Sequence, residues 1–499
     1  MQYSAMAAAV LAALVGLGTM LLLRRSRNSA ITTSMEILVL TYEFTYSPFS
    51  GNGVLARSLV KGLLSCGHRV VVCCCKPHPE VPGISADNPI DSDRLKVEAV
   101  ELSASDGWRR LDDTSAWQRY TDGVAKAAVQ GRLSFSQGPA TFGPSSAPAA
   151  VLAIDWTGCA AWRRIQSAFP KTRMLYVNFR VYSSGLSSGE AASRAAWHDE
   201  REAEALAAAD RILALSVHDQ ASLQSLQSSR HAAREARTPA IGLLLPCLRG
   251  DMQALAQQPA EMLAKRLPPA VSARLDAMTA PSTLAPTTSA SWSWARDGSQ
   301  PRRLLVCGVR LSAEKNPMLF ARVIDRIATK LEARGVVPLL FGASAEPQYA
   351  GEVKQLVQRA GGLVLEQFLG PEDMAALYAV TRLNFHPCLY DAYGMSIVEA
   401  AAFGAPTVVN SGGTIGASAL LGLDAGCIGI GLTAGDAGKG DEVATLASRL
   451  LEVLDDAESL KRVARIGRER ALGWGEEACG RKLHDEMVDM SEEAVSAKV

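Results

Sequence analysis

The apolar runs Ile37–Tyr42 and Arg69–Cys75 flank a segment of helical spacing, and this order constrains the fold more than any other feature of the chain. Each run is short and continuously apolar, bounded by turn residues, so both read as buried parallel strands. Between them, Val54, Leu55, Leu59, Leu63 and Leu64 define a helix from Val54 to Cys66, which Gly67 stops as a left-handed cap. The triplet Gly51-Asn52-Gly53 precedes that helix. It therefore falls in a loop at the carboxyl edge of the sheet, where folds of this kind bind ligands.

The alternation continues down the chain. Ala149–Ile154, ending at Asp155-Trp156, and Met174–Val177 read as strands, Glu200–Ala209 as a helix and Asp210–Ser216 as a strand. From 251 to 300 the composition shifts to Ala, Pro, Ser and Thr, which reads as a low-complexity linker or insertion. Regular patterning returns with strands at Arg303–Gly308, Val336–Phe341, Leu363–Leu365, Leu383–His386 and Thr407–Asn410. Met318–Glu332, Val353–Arg359 and Pro371–Val380 supply helices between them. The pattern predicts an α/β chain with two doubly wound, Rossmann-like domains, 35–250 and 301–472, facing across a cleft. At 499 residues the chain is long enough for each to bury its own core.

Ala5 through Leu23 carries no charge and is about long enough to span a bilayer. Arg24, Arg25 and Arg27 follow it, so residues 1–34 read as a transmembrane anchor with a basic flank. That polarity leaves the remaining domains facing the cytosol, at the endoplasmic reticulum or a similar endomembrane. An organellar transit peptide is the competing reading, because the segment is rich in Ala and Ser and its first acidic residue is Glu36. Hydrophobic residues at 48% and charged residues at 20% exclude a disordered chain. A formal net charge of zero leaves no global footprint for nucleic acid, which is not an expected partner. Ten cysteines include the run Cys73-Cys74-Cys75 but no CxxC pair, as expected of small buried residues in a reducing compartment.

Two constellations carry chemistry. In Gly308-Val-Arg-Leu-Ser-Ala-Glu-Lys-Asn-Pro317, a strand passes into a helix, and Arg310 and Lys315 flank the turn so that both can reach one site. A nucleotide diphosphate needs such fixed cations, guanidinium as a fork and ammonium as a point charge. In Asp391-Ala-Tyr-Gly-Met-Ser-Ile-Val-Glu399, Gly394 opens a helix and admits a ligand close to the backbone. The N–H groups of Met395 and Ser396 then point outward with the helix dipole behind them, which makes an anion site. Glu399 matches the paired hydroxyls of a ribose, and Asp391 the hydroxyls of a transferred sugar. Asp155 is the candidate acceptor-binding group, and His386 reads as the end of a strand. No cluster of His, Asp and Glu in the sequence suggests a metal site.

These motifs resemble the GR-L-x-x-E-K and E-x7-E signatures of retaining nucleotide-sugar glycosyltransferases with the GT-B fold, the glycosyl transferases group 1. The likeness extends to Gly51-Asn-Gly53, to Glu204, Asp210 and Ser216, and to Gly404-Ala-Pro406 with Gly412-Gly413. It ends at Trp474-Gly-Glu476, after which residues 473–499 are expected to form a crossover helix returning to the first domain. The resemblance implies that Arg310 and Lys315 stabilise the diphosphate leaving group, Glu399 holds the ribose and Asp391 the donor sugar. Gly51 and Gly53 would close on the phosphates, with no metal or other cofactor. Asp391 stands where the family usually has Glu, and Ile154 where it often has His.

The expected activity is retaining transfer of a hexose-type sugar from a UDP- or GDP-sugar to an acceptor that an anchored enzyme would find in lipid-linked form. A nucleotide-sugar-binding scaffold subunit of weak activity, or a sugar-nucleotide epimerase on the same fold, are the alternatives.

Overall fold

The computed structural model describes residues 34–44, 51–80, 90–103, 105–106, 114–135, 147–185, 190–231, 239–277, 302–344, 346–367, 369–432 and 440–496. The anchor expected at 5–23, and the linker from 278 to 300, lie outside these residues. Among the described residues, no helix is long and apolar enough to cross a membrane. The chain divides into two compact units, 1–245 with 476–499, and 246–475.

The first unit is built on seven parallel strands: β1 (Glu36–Leu40), β2 (Arg69–Lys76), β3 (Leu95–Glu101), β4 (Ala150–Ile154), β5 (Arg173–Asn178), β6 (Arg211–Ala214) and β7 (Ile241–Leu243). Their order is β3-β2-β1-β4-β5-β6-β7. Ile37 through Leu40 and Val70 through Cys75 are all fully buried, as strands covered on both faces require. Cys73, Cys74 and Cys75 are thus core residues. The helix after β1 begins at Gly51, so Gly51 and Gly53 form its first turn rather than a loop before it. It runs to Ser65 and packs against the C-terminal helix Glu476–Ser496, which belongs to this unit. The two backbones touch where glycines meet: a Cβ on Gly62 would lie 2.3 Å from the Glu476 carbonyl, and one on Gly480 2.1 Å from that of Gly62. Only residues without a side chain fit that crossing.

The second unit holds six parallel strands: β8 (Leu304–Gly308), β9 (Val337–Phe341), β10 (Leu363–Leu365), β11 (Thr381–Phe385), β12 (Thr407–Asn410) and β13 (Ile428–Ile430). The order β10-β9-β8-β11-β12-β13 reverses between β8 and β11, whose carboxyl ends therefore open on a topological switch point. The two chemistry-bearing stretches follow these two strands. The stretch expected as linker differs from that expectation at its start. Gly250–Leu255, Ala260–Ala264 and Pro269–Ala277 are short helices, with Met252, Leu255, Leu263 and Val271 buried. Gly250–Leu255 and Ala260–Ala264 dock their buried apolar residues on the helix Pro371–Ala379, and that packing overrides the Ala- and Pro-rich composition.

Candidate active site

The turn after β8 is held at both ends. Leu311 bridges to Ser344, and Asn316 adopts a left-handed conformation with φ of 52°, which asparagine tolerates better than most residues. The Asn316 amide donates to the Pro387 carbonyl at 3.3 Å, which ties this turn to the loop that leaves β11. Pro317 then opens the long helix Pro317–Ala333. The turn after β11 is fixed as firmly. The Asp391 N–H donates to the Thr414 carbonyl and the Gly416 N–H to the Asp391 carbonyl, at 3.1 and 2.9 Å.

Asp391 is the centre of the arrangement. Its Oδ2 meets Lys315 Nζ at 3.2 Å and His386 Nε2 at 3.1 Å, and its Oδ1 accepts the Gly394 N–H at 3.2 Å. Burial alone would push this carboxyl up. The Lys315 ammonium and the His386 ring outweigh burial and hold it well below the usual carboxylate range. Burial likewise opposes a charge on His386, yet Cys388 and the Asp391 carboxylate raise the ring to about 9. Gly394 itself has φ of 72°, a conformation glycine takes at no steric cost, and the helix Met395–Ala402 starts directly after it. Met395 and Ser396 are half-buried at that helix start. Lysine, carboxylate and helix N-terminus are thereby joined.

Three residues hold partners that the sequence does not disclose. The Arg310 guanidinium pairs with Glu314, four residues along the same turn, at 3.1 Å, rather than with the Asp391 group. Glu399 faces the interior and forms an ion pair with Arg249 Nε at 2.8 Å. Burial keeps its carboxyl above the ordinary range even though Arg249 pulls it down. His386 is no mere strand end: β11 stops at Phe385, and the buried imidazole serves Asp391. Arg249 and Cys388 carry no signal in the sequence. Arg249 precedes a short helix, and Cys388 is a small residue whose Sγ lies 3.5 Å from the Lys315 carbonyl.

In the first unit, Asp155 opens the helix Asp155–Ile165 with φ of 62°, and its carboxylate is fully buried rather than open to solvent. It accepts the Trp156 N–H at 2.9 Å and the Tyr182 hydroxyl at 3.0 Å. Burial raises this carboxyl to about 6, against the pull of those two donors and of Arg180. A folded-state value above the unfolded one stabilises the fold below about pH 4, and that stabilisation is lost as pH rises through 6. The share from Asp155 amounts to about 3 kcal/mol. Asp155→Asn, whose amide oxygen still accepts the Trp156 N–H, whose amide N–H donates to the Tyr182 hydroxyl instead of accepting from it, and which keeps the backbone preference, should therefore flatten the fall in unfolding free energy between pH 4.5 and 7.5. Urea titrations at the two pH values check this, and an unchanged fall would contradict it.

Each unit is a Rossmann-like α/β domain, and the second presents fixed cations and a helix start at its switch point. Residues 301–456 match the model of the glycosyl transferases group 1. The match is confined to the second unit, whose domain is of the type found in that family of glycosyltransferases. Sucrose-phosphate synthase from Thermosynechococcus elongatus superimposes with a TM-score of 0.62 at 14% identity, over 91% of this chain and 99% of that one. The α,α-trehalose 6-phosphate synthase from Burkholderia multivorans gives 0.61 at 14%, over 94% and 100%. A trehalose-6-phosphate structure from E. coli, bound with UDP-2-fluoro glucose, gives 0.56 at 13%, over 93% and 98%. These likenesses establish the GT-B fold. A sequence search of curated proteins finds no match.

Proposed function

We propose that the chain transfers a hexose from a nucleotide diphosphate sugar, with retention of configuration, to an acceptor at a membrane surface. The Lys315–Asp391–Gly394 network carries this reading, because it gathers a cation, a sugar-binding carboxylate and a helix N-terminus at one sheet edge. The diphosphate is to lie against Lys315 and the Met395–Ser396 amides, with Arg310 turning from Glu314 to meet it. Negative charge grows on that diphosphate as the glycosidic bond breaks, and fixed donors stabilise it there at no cost in reorganisation. The acceptor hydroxyl attacks the face that the leaving group vacates, and the departing phosphate takes its proton. Asp391 orients the sugar hydroxyls, and Glu399 the ribose. If these cations suffice, the step needs no metal.

A UDP-sugar is the favoured donor, since one similar structure is bound with UDP-2-fluoro glucose. On the acceptor side, Asp155 acts through the Tyr182 hydroxyl that it holds. The uncharged stretch Ala5–Leu23 motivates the membrane location and, with it, a lipid-linked acceptor. One experiment tests both parts. Membranes from cells making the full chain are supplied with labelled UDP-glucose or GDP-mannose. Label in the lipid extract, with release of the nucleoside diphosphate, is the expected result. Recovery of the chain in the soluble fraction would overturn the membrane part. Nucleotide binding without turnover for any donor would favour a scaffold subunit instead.

A further inference from the structure

His386, Cys388 and Asp391 bring a nitrogen, a sulfur and an oxygen ligand within 4.8 Å of one another. His386 and Cys388 are buried, and all three leave β11 on one short loop whose ends are anchored by the Asn316 and Thr414 contacts. We propose that these three side chains form a zinc-binding site whose occupation shuts off transfer. Imidazole, thiolate and carboxylate are the donor types that zinc accepts together, and three protein ligands leave a fourth position for water. The His386 to Asp391 separation of 3.1 Å is close to that between neighbouring ligands on one small tetrahedral ion. The charges also balance, since the thiolate and the carboxylate together neutralise a divalent ion.

The consequence for transfer rests on the function proposed above. An ion on Asp391 Oδ2 takes the position that Lys315 Nζ holds at 3.2 Å. Lys315, at the end of a short 3-10 turn and with its side chain 19% exposed, is then turned toward solvent. Asp391 is lost to the donor sugar at the same moment. Zinc and donor therefore compete, and the site acts as an inhibitory switch.

The test is made on the full chain after treatment with a chelator. Zinc ion is titrated against a chromophoric chelator, and cobalt ion is added in a parallel sample to read thiolate ligation in the ultraviolet. One ion per chain is expected, with affinity falling about a hundredfold in Cys388→Ser and in His386→Gln and the cobalt–thiolate band absent from Cys388→Ser. Absence of binding, or binding that Cys388→Ser leaves unchanged, would overturn the site. Bound zinc is expected to slow donor turnover at least about tenfold in the unmodified chain and not in Cys388→Ser. Stoichiometric zinc with unaltered turnover would overturn the switch. The metal titration needs no donor, so its outcome stands apart from whether the chain transfers sugar.

Discussion

Lys315→Ala should lower kcat/KM for sugar transfer by about a hundredfold, or roughly 2.7 kcal/mol of transition-state stabilisation. The expectation rests on what the ammonium does as the donor breaks. A cation held against a diphosphate in a partly enclosed site acts mainly on charge that develops in the transition state, so kcat should fall more than KM rises. The same substitution removes one of the partners of Asp391, but the His386 and Gly394 contacts remain, so the fold should be retained. Activity and melting temperature are therefore expected to separate. A Lys315→Ala chain that melts normally and transfers within twofold of the unmodified rate would rule out this lysine as the leaving-group cation.

The second large effect concerns Glu399, whose carboxylate is 6% exposed and paired with Arg249 at 2.8 Å. Glu399→Ala would leave the Arg249 charge short of its partner. Breaking a buried pair costs about 3–5 kcal/mol. Since the Arg249 side chain is 23% exposed and keeps access to Asp251, a loss of about 2 kcal/mol is expected here. Glu399→Gln preserves shape and isolates the binding role. It should raise the donor KM at least about tenfold with little change in kcat, as loss of a contact made equally in ground and transition states does. If Glu399→Gln leaves the donor KM untouched while Glu399→Ala destabilises the chain, the pair is structural and ribose recognition lies elsewhere.

The central strands were legible because burial on two faces leaves continuous apolar runs, as in Ile37–Leu40 and Val70–Cys75. The edges were not. β3 mixes Lys96, Glu98 and Glu101 with apolar residues and is mostly half-buried, while β7 and β13 are three residues long. Such segments carry little periodicity to read. The helices Gly250–Leu255 and Ala260–Ala264 were hidden by composition, and their docking partner explains them. In the site, Lys315, Asp391 and Gly394 could be named from spacing because each lies on a turn that leads from a strand into a helix. That β8 and β11 are neighbours, which brings Lys315 onto Asp391, is a property of sheet order. Cys388 shares the loop of Asp391 and Arg249 precedes a short helix, and neither belongs to a local pattern. Arg310 shows the converse. Spacing suggested a shared target with Lys315, whereas its own turn offers Glu314 as a nearer partner.

Everything in the proposed chemistry depends on a diphosphate being held by Lys315, Arg310 and the helix start at Gly394. Calorimetric titration of UDP and of uridine into the full chain, and into Lys315→Ala, isolates that contribution. UDP should bind at least about a hundredfold more tightly than uridine, and the gap should shrink at least about tenfold in the variant while uridine binding stays the same. Equal affinities for UDP and uridine, or a variant that weakens both alike, would contradict a phosphate-binding role for this edge of the sheet.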